Sequence, residues 1–176
     1  MRGKSYYVIF GLVAIISFMF ASIGSAEMQE DITLHKSCAH CGMNRGTFDF
    51  SRMLIEYNDG SAVPVCSLHC AAIDLANNID KAPKSIKVAD FKGKQLIDAE
   101  QAFWVAGGSR PGVMSKRGKW AFAAKDDAES FLKTNGGKLV SFEDAIKMAY
   151  DDMYEDTRMI REKRKMMRMK QMDKKS

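Results

Sequence analysis

Several features that define common protein classes are scarce or missing in this chain. Its 176 residues include three prolines, which argues against long extended linkers and Pro-rich recognition segments. A second apolar run of about 20 residues is missing, which argues against a protein with several membrane spans. With 27 basic and 22 acidic residues, the charge is too balanced for an acidic-tail class, and the composition is not collagen-like. At 46% hydrophobic residues, the chain can still bury a core.

The N-terminus has the pattern of an export signal over residues 1–26. Arg2 and Lys4 precede an apolar stretch over residues 6–20, and small residues lead to Ala26. We therefore predict a periplasmic protein whose mature chain begins near Glu27. The alternative is an uncleaved membrane anchor, since the apolar segment is about long enough to span a bilayer. No cysteine precedes Cys38, so the acyl acceptor of a bacterial lipoprotein is absent from this segment.

Soft sulfur donors are abundant in contrast, with 13 Met beside four Cys. In an oxidising compartment, four cysteines form two disulfides by default. Their spacing favours another use, because Cys38 and Cys41 form a C-x-x-C pair and Cys66 and Cys70 form a second close pair. Such pairs suit a metal ion or a redox disulfide better than a bond that staples distant parts of the fold.

The first pair lies in the run Cys-Ala-His-Cys-Gly-Met, which ends at Met43. Gly42 lets the backbone turn tightly, so that both sulfurs can face one point. Two thiolates suit Zn(II), Cu(I) or an iron-sulfur centre, and the nearby thioether of Met43 favours Cu(I). Met114 ends a Gly-rich loop over residues 107–114 and is a candidate exchangeable ligand.

The second pair lies at a predicted junction between a strand and a helix. If Ser67 caps the helix, Cys70 lies in the first turn, where the helix dipole favours the thiolate. His69 is a further candidate ligand. The alternatives are that Cys70 is an ordinary core residue and that His69 only caps or donates a hydrogen bond.

The order of the elements predicts an α+β fold of two tandem ββαβ-like units followed by a C-terminal helix. The first unit has strands at 48–57, 62–65 and 85–91 and a helix at 68–77; the second has strands at 101–106, 119–124 and 138–142 and a helix at 126–134. We divide the chain into a signal at 1–26, the first unit at 27–92, the second at 93–150 and a basic, Met-rich helical tail at 151–176.

The net positive charge of the chain is a property of its tail. Residues 155–176 hold nine Lys or Arg against four acids, a net of +5 that equals the formal charge of the whole chain. An arm of this kind can contact an anionic membrane or an acidic partner, and export argues against nucleic acid. A solvated helix is the alternative. The tail methionines resemble weak thioether Cu(I) motifs, although a Met stripe is more often a packing surface.

Several segments together resemble the NosL-type nitrous oxide reductase accessory proteins over about residues 35–150. They are the run from Cys38 to Met43, the segment 96–105, the Met-bearing loop and the segments 120–123 and 136–142. The resemblance implies a Cu(I)-binding chaperone without enzymatic activity that serves the machinery assembling nitrous oxide reductase. It also implies two ββαβ-like halves related to the organomercurial lyase fold, and it supports Cys38, Cys41, Met43 and Met114 more than the second cysteine pair.

Two other classes of function remain open at this point. The four cysteines could form a structural zinc site, since the two close pairs are separated by a predicted hairpin. Alternatively, the C-x-x-C could serve a thiol-disulfide oxidoreductase, or the fold a lyase that cleaves carbon-mercury bonds. The oxidoreductase needs a thioredoxin-like βαβ context, whereas here the motif precedes a hairpin.

Overall fold

A computed structural model describes residues 30–174 of the protein. The predicted signal segment lies outside the described residues. Between residues 30 and 174, no helix is both long enough and apolar enough to cross a membrane.

The described chain forms two antiparallel sheets and four helices, in the α+β class predicted from the sequence. In chain order the elements are α1 (Glu30–Leu34), β1 (Met53–Tyr57), β2 (Ala62–Val65), α2 (Leu68–Asn77), β3 (Pro83–Ala89), β4 (Leu96–Asp98), β5 (Phe103–Pro111), β6 (Arg117–Phe122), α3 (Lys125–Asn135), β7 (Lys138–Val140) and α4 (Phe142–Asp173).

The first sheet has the strand order β2-β1-β3-β4 and positions the cysteines. Ile55 in the central strand β1 lies opposite Val63 on one side and Ile86 on the other, and it is fully buried. The predicted turn between β1 and β2 contains Gly60 at a φ of 83°, a left-handed conformation that glycine adopts without steric cost. This hairpin brings the end of β2 and the start of α2 back towards the segment that precedes β1.

The second sheet has the order β6-β5-β7 and carries an aromatic core. Val105 in β5 lies opposite Trp120 in β6 and Leu139 in β7. Helix α3 packs on this sheet and buries Phe131 against it. The aromatic side chains Phe50 and Phe91, which precede this half in the sequence, also pack into this core.

Three features of the strands differ from the sequence prediction. Strand β5 runs to Pro111 and so includes residues 107–111, which were predicted as part of a Gly-rich loop. The strand predicted over residues 48–57 begins at Met53, because residues 48–52 form a turn in which the Phe48 carbonyl accepts from the Ser51 and Arg52 amides. Strand β4 was not predicted, since three residues are too few to show an alternating pattern. It pairs with β3, so residues that we assigned to the second unit join the first sheet. The exact division into units stays a prediction.

Helix α4 begins with a capping box and continues for 32 residues. Ser141 accepts a hydrogen bond from the Asp144 amide, and the Asp144 carboxylate accepts one from the Ser141 amide. The N-terminal half of α4 packs against α2. Its buried residues end at Asp156, and the helix is exposed from residue 161 onwards.

An ion-pair network fastens α1 to the first sheet. Arg45 and Arg52 are both fully buried, and each guanidinium lies 2.8 Å from the Asp31 carboxylate. Burial raises the pKa of Asp31, but the two arginines more than offset this effect and hold the pKa below its ordinary value. The remaining donors of Arg45 reach backbone carbonyls, including those of Val65 and Met53. The network thus holds together the segments on either side of the first cysteine pair.

Candidate metal centre

The four cysteines converge on one point. The sulfurs of Cys38, Cys41, Cys66 and Cys70 all lie within 4.8 Å of one another. The Cys41 and Cys66 sulfurs are 3.5 Å apart, and those of Cys66 and Cys70 are 3.7 Å apart, so the two pairs form one group. We call these four residues the cysteine cluster. The structure brings the second pair into the same site as the first, although the family resemblance had given it less support.

The first pair is held in a tight loop. The Cys38 amide donates to the Met43 carbonyl at 2.8 Å, and the Gly42 amide donates to the Cys38 carbonyl at 3.0 Å. Gly42 has a φ of 75°, as the sequence predicted from the need for a tight turn. The Ala39 amide donates to the Pro64 carbonyl at 2.8 Å. This last bond ties the loop to β2, the strand that leads into the second pair.

The second pair brackets the N-terminus of α2. Cys66 follows β2, and Cys70 lies in the first turn of the helix. Ser67 occupies the capping position with extended backbone, but its side chain accepts no hydrogen bond from the helix. The predicted position of the helix start is therefore confirmed, whereas the side-chain cap is not formed.

Within the cysteine cluster, the thiolate form is favoured at the first pair, Cys38 and Cys41. Hydrogen bonds from Cys41, then Cys66 and Cys70, hold the pKa of Cys38 far below its ordinary value. For Cys41, the contact with Cys38 raises the pKa, and the contacts with Cys66 and Cys70 lower it, to a net value of about 7. The contacts with Cys38 and Cys41 raise the pKa of both Cys66 and Cys70. The first pair thus supplies thiolate at neutral pH, and a bound cation would have to displace protons from the second pair.

Access to the cluster is uneven. Cys38, Cys66 and Cys70 are buried, while Cys41 is half-buried. Cys41 is therefore the sulfur nearest to solvent, and it is the natural point for an incoming or outgoing ligand to meet the site.

A buried carboxylate orients the loop of the first pair. Asp74, which is 2% exposed, lies on α2 and accepts from Tyr57 Oη at 2.6 Å. Its other oxygen lies 2.9 Å from the Nε2 atom of His40. His40 is one of the two residues between Cys38 and Cys41 in the C-x-x-C motif. Burial, followed by the contact with Asp74, raises the pKa of the Tyr57 hydroxyl, which keeps it a donor at neutral pH. Asp74 thus connects the loop, the helix and the first sheet.

His69, a candidate ligand from the sequence, contributes no donor atom to the group of four sulfurs. Within residues 30–174, the group of convergent donor atoms contains the cysteines and no histidine. His69 Nδ1 instead lies 3.6 Å from Asp156 Oδ2 on α4, and both side chains are buried. Burial lowers the pKa of His69, although the Asp156 charge acts in the opposite direction. The structure therefore places His69 at the contact between α2 and α4, and its role as a ligand stays a prediction.

Met43 and Met114 lie together beside the cluster and line one groove. Both are half-buried and pack against the core that contains the cysteines. Met114 has a φ of 59°, in the left-handed region that costs a residue with a side chain about 1 kcal/mol or more. Such a backbone outlier is a typical feature of functional sites.

Comparison with known proteins identifies the family. The model of the NosL family matches residues 29–150, more than half of the chain. The chain belongs to the NosL family. This confirms the resemblance inferred from the sequence, and with it the expectation that the protein is not an enzyme. A search of curated proteins finds no match.

A solved structure supports the same assignment. The crystal structure of the copper chaperone NosL from Shewanella denitrificans matches with a TM-score of 0.50 and 25% sequence identity. The match covers 61% of this chain and 87% of the Shewanella chain. The basic part of α4, beyond residue 150, lies outside the region matched by the NosL family model.

Three residues near the site were missed by sequence reasoning. Asp74 and Asp156 resemble ordinary helical acids in the sequence, and only the fold shows that both are buried beside the cysteine segments. Arg164, 123 positions from Cys41, donates to its carbonyl at 3.3 Å. A contact over such a separation leaves no local pattern to recognise.

Proposed function

We propose that this NosL-family protein is an exported Cu(I) metallochaperone that carries copper on the cysteine cluster. The convergence of four sulfurs within 4.8 Å carries this proposal. Thiolates are soft ligands that select Cu(I) over hard cations, and bound Cu(I) keeps the thiols out of disulfides. The family assignment and the copper-chaperone neighbour support the same cargo.

The geometry suits a carrier that must release its metal. Three of the sulfurs are buried, which protects Cu(I) from water and oxidant, while Cys41 is half-buried at the edge. A recipient thiolate or thioether can attack the metal from that side and replace the protein ligands one at a time. We place Cys41 first in that exchange, because it is half-buried while the other three cysteines are buried.

The proposed recipient is nitrous oxide reductase during assembly of its copper sites, or a related exported copper enzyme. The resemblance to the NosL-type nitrous oxide reductase accessory proteins suggests this recipient. Export through the predicted signal would place the protein in the periplasm with such an enzyme. The basic end of α4 would serve the encounter, through contact with an acidic partner or an anionic membrane.

Anaerobic titration of the purified, reduced protein with Cu(I) against a competing chelator tests the cargo. We expect a tight complex that is weakened at least 100-fold in the Cys38→Ser/Cys41→Ser variant. Met172→Leu is the control, because it removes an exposed sulfur of the tail and should leave the affinity unchanged. The absence of a tight complex, or equal affinity in the cysteine variant, would contradict the proposal.

Delivery needs a separate experiment. Cu(I)-loaded protein is mixed with copper-free nitrous oxide reductase and its assembly machinery, and the copper content of the separated enzyme is measured. Transfer that exceeds the transfer from an equal amount of chelated Cu(I) supports delivery. Equal transfer would exclude nitrous oxide reductase as the recipient, and it would not contradict the proposal that the protein carries copper.

A structural zinc site is the second candidate, and the same four sulfurs favour it. Four convergent thiolates without an open position are the usual donor set of structural Zn(II). In that case the protein should purify with one equivalent of zinc, and a chelator should unfold it. If zinc is absent, or if its removal leaves the fold intact, the zinc function is excluded.

A further inference from the structure

A groove between α4, the cysteine loop and the β5–β6 connection has an apolar floor and a basic rim. The floor consists of half-buried apolar side chains from all three segments: Met43, Met114, Met159 and Ile160. The rim carries three exposed cations, which are Lys116, Lys163 and Arg164. The groove has a volume of about 530 Å³, and we call it the docking groove. We propose that it binds an acidic, amphipathic helical segment of a partner protein.

The floor suits the apolar face of such a segment. Methionine side chains are unbranched and flexible, so a surface built from them adapts to partners of different shape. An amphipathic helix lays its apolar face into a groove of this kind and leaves its polar face at the edge. The α4 wall of the groove lies beyond residue 150, outside the region matched by the NosL family model. The groove is therefore not implied by the family match.

The rim favours a partner with negative charge. Within residues 30–174, none of the three rim cations forms an ion pair, and no carboxylate lines the groove. By contrast, Arg117 and Lys119, which follow the same connection, both pair with Asp152 at 2.8 Å. Three unpaired cations around an apolar floor are complementary to carboxylates that flank an apolar helix face.

One face of α4 continues this basic surface beyond the groove. Lys163, Met167, Lys170 and Lys174 are separated by four, three and four residues, so they lie in one row along the helix. All four are exposed, and the row contains no acid. A partner helix with glutamates along one side can therefore follow α4 outwards from the groove.

The groove lies at the accessible side of the cysteine cluster. Arg164 on the rim donates to the Cys41 carbonyl at 3.3 Å, and Cys41 is the half-buried cysteine of the four. Met43 in the floor is two residues from Cys41. A segment seated in the groove would thus lie beside the sulfur that we place first in ligand exchange. That the partner is a copper recipient rests on the proposed function, whereas the binding itself does not.

Binding is tested on the purified, reduced protein without metal. The probe is a fluorescent synthetic peptide of about 15 residues with leucine on one helical face and glutamate on the other. We expect saturable binding by fluorescence anisotropy. A scrambled peptide of the same composition has the same charge but no apolar face, and it should bind at least about 10-fold more weakly.

Two pairs of variants test the rim and the floor. Lys163→Glu should weaken peptide binding at least about 10-fold, while Lys165→Glu makes the same charge change outside the groove and should cost less than about 3-fold. Met159→Gln places a polar group in the floor without changing the charge, and it should also weaken binding about 10-fold. Its control is Met169→Gln on the exposed surface of the same helix, which should bind as the wild type does.

The position of the bound peptide is tested at Cys41. At saturation, the peptide should slow alkylation of Cys41 by iodoacetamide at least about 5-fold, as mapped by mass spectrometry, because a seated segment covers the accessible side of this sulfur. An unchanged rate of alkylation would overturn the placement beside the cysteine loop.

Three further outcomes would overturn the docking site: no saturable binding, equal binding of the scrambled peptide, or equal losses in Lys163→Glu and Lys165→Glu. Binding to phosphatidylglycerol vesicles without binding to the peptide would also contradict it and would indicate an anionic membrane instead. None of these measurements uses copper. If the protein fails to bind Cu(I), the copper-carrier proposal fails, and peptide binding still decides the docking site.

Discussion

The contact between α2 and α4, beside the cysteine cluster, is rich in alanine, whereas the core of the second sheet is aromatic. Where α2 packs on α4, the buried residues include Ala71 and Ala72 on one helix and Ala145 and Ala149 on the other. In the second sheet, Phe91, Trp120, Phe122 and Phe131 pack with ring centroids 5.1 to 6.3 Å apart.

Small side chains bury little apolar area, so they contribute less to stability than aromatic rings do. The difference indicates a division of labour. The core of the second sheet consists of apolar packing, while the cysteine region adds specific polar contacts to its own apolar core and, when loaded, adds its metal.

Metal loading should give the largest change in stability. This change should be confined to the region of the cysteines and should leave the second sheet unaffected. At free Cu(I) about 1,000-fold above the dissociation constant, we expect about 4 kcal/mol of added stability in urea unfolding. Hydrogen exchange should show new protection at residues 38–44 and 66–72 and little at 117–135. Equal protection in both regions would contradict the division.

Phe131→Ala should give the next largest effect, through the aromatic core. Truncation of this buried ring should lower the free energy of unfolding by about 3 kcal/mol. Because Phe131 belongs to a different core cluster from the cysteines, the Cu(I) stoichiometry of the folded variant should stay the same. The control is Phe103→Ala, whose ring is 38% exposed and should cost less than about 1 kcal/mol. A lower copper stoichiometry in Phe131→Ala would show that the two cores depend on each other.

Asp31→Asn should lower the free energy of unfolding by less than Phe131→Ala does. It acts only on the ion-pair network that fastens α1 to the first sheet. Loss of the carboxylate removes the Asp31 charge that faces the buried guanidinium groups of Arg45 and Arg52. We expect a cost of about 2 kcal/mol at pH 7, below the usual range for a broken buried pair because both arginines keep backbone acceptors. The exposed pair partner Asp151 provides the control, since Asp151→Asn should change stability by less than about 0.5 kcal/mol.

The pH dependence gives a second readout for the same variant. The folded-state pKa of Asp31 lies below its unfolded value, so the stability it adds is present above about pH 4 and is lost as the pH falls through the folded value. Asp31→Asn should lack this part of the acid transition in urea unfolding measured from pH 7 to pH 3. An unchanged acid transition would show that other carboxylates control it.

The sequence was sufficient for the elements that have strong local signals. Strand β2 and helix α2 have the predicted bounds, because the turn at Gly60 and the apolar spacing after Ser67 define them. Strand β4 could not be predicted, since its pairing with β3 depends on the fold. The Asp31 network was also missed, because an aspartate in a polar segment resembles a solvated residue until two buried arginines are placed beside it.

In the cysteine site, too, local features could be predicted from the sequence and long-range contacts could not. Each cysteine pair was visible from its spacing, and their union into one group was one of the open interpretations. The bond between the Ala39 amide and the Pro64 carbonyl shows how the β1–β2 hairpin joins them. By contrast, nothing local in the sequence predicts that Arg164 reaches the cysteine loop, since only the position of α4 in the fold brings this side chain to the Cys41 carbonyl.

The uninterrupted length of α4 sets the range over which its charge acts. A helix of 32 residues is about 48 Å long, and the nine residues beyond Arg164 extend it by about 13 Å past the contact with the cysteine loop. This distance exceeds the screening length of about 8 Å at physiological ionic strength. The charges at the far end therefore contribute little to the energy of a metal at the cysteines. They act instead by orienting the molecule as it approaches an anionic surface. Ionic strength should therefore change the rate of encounter with such a surface more than it changes the affinity for copper.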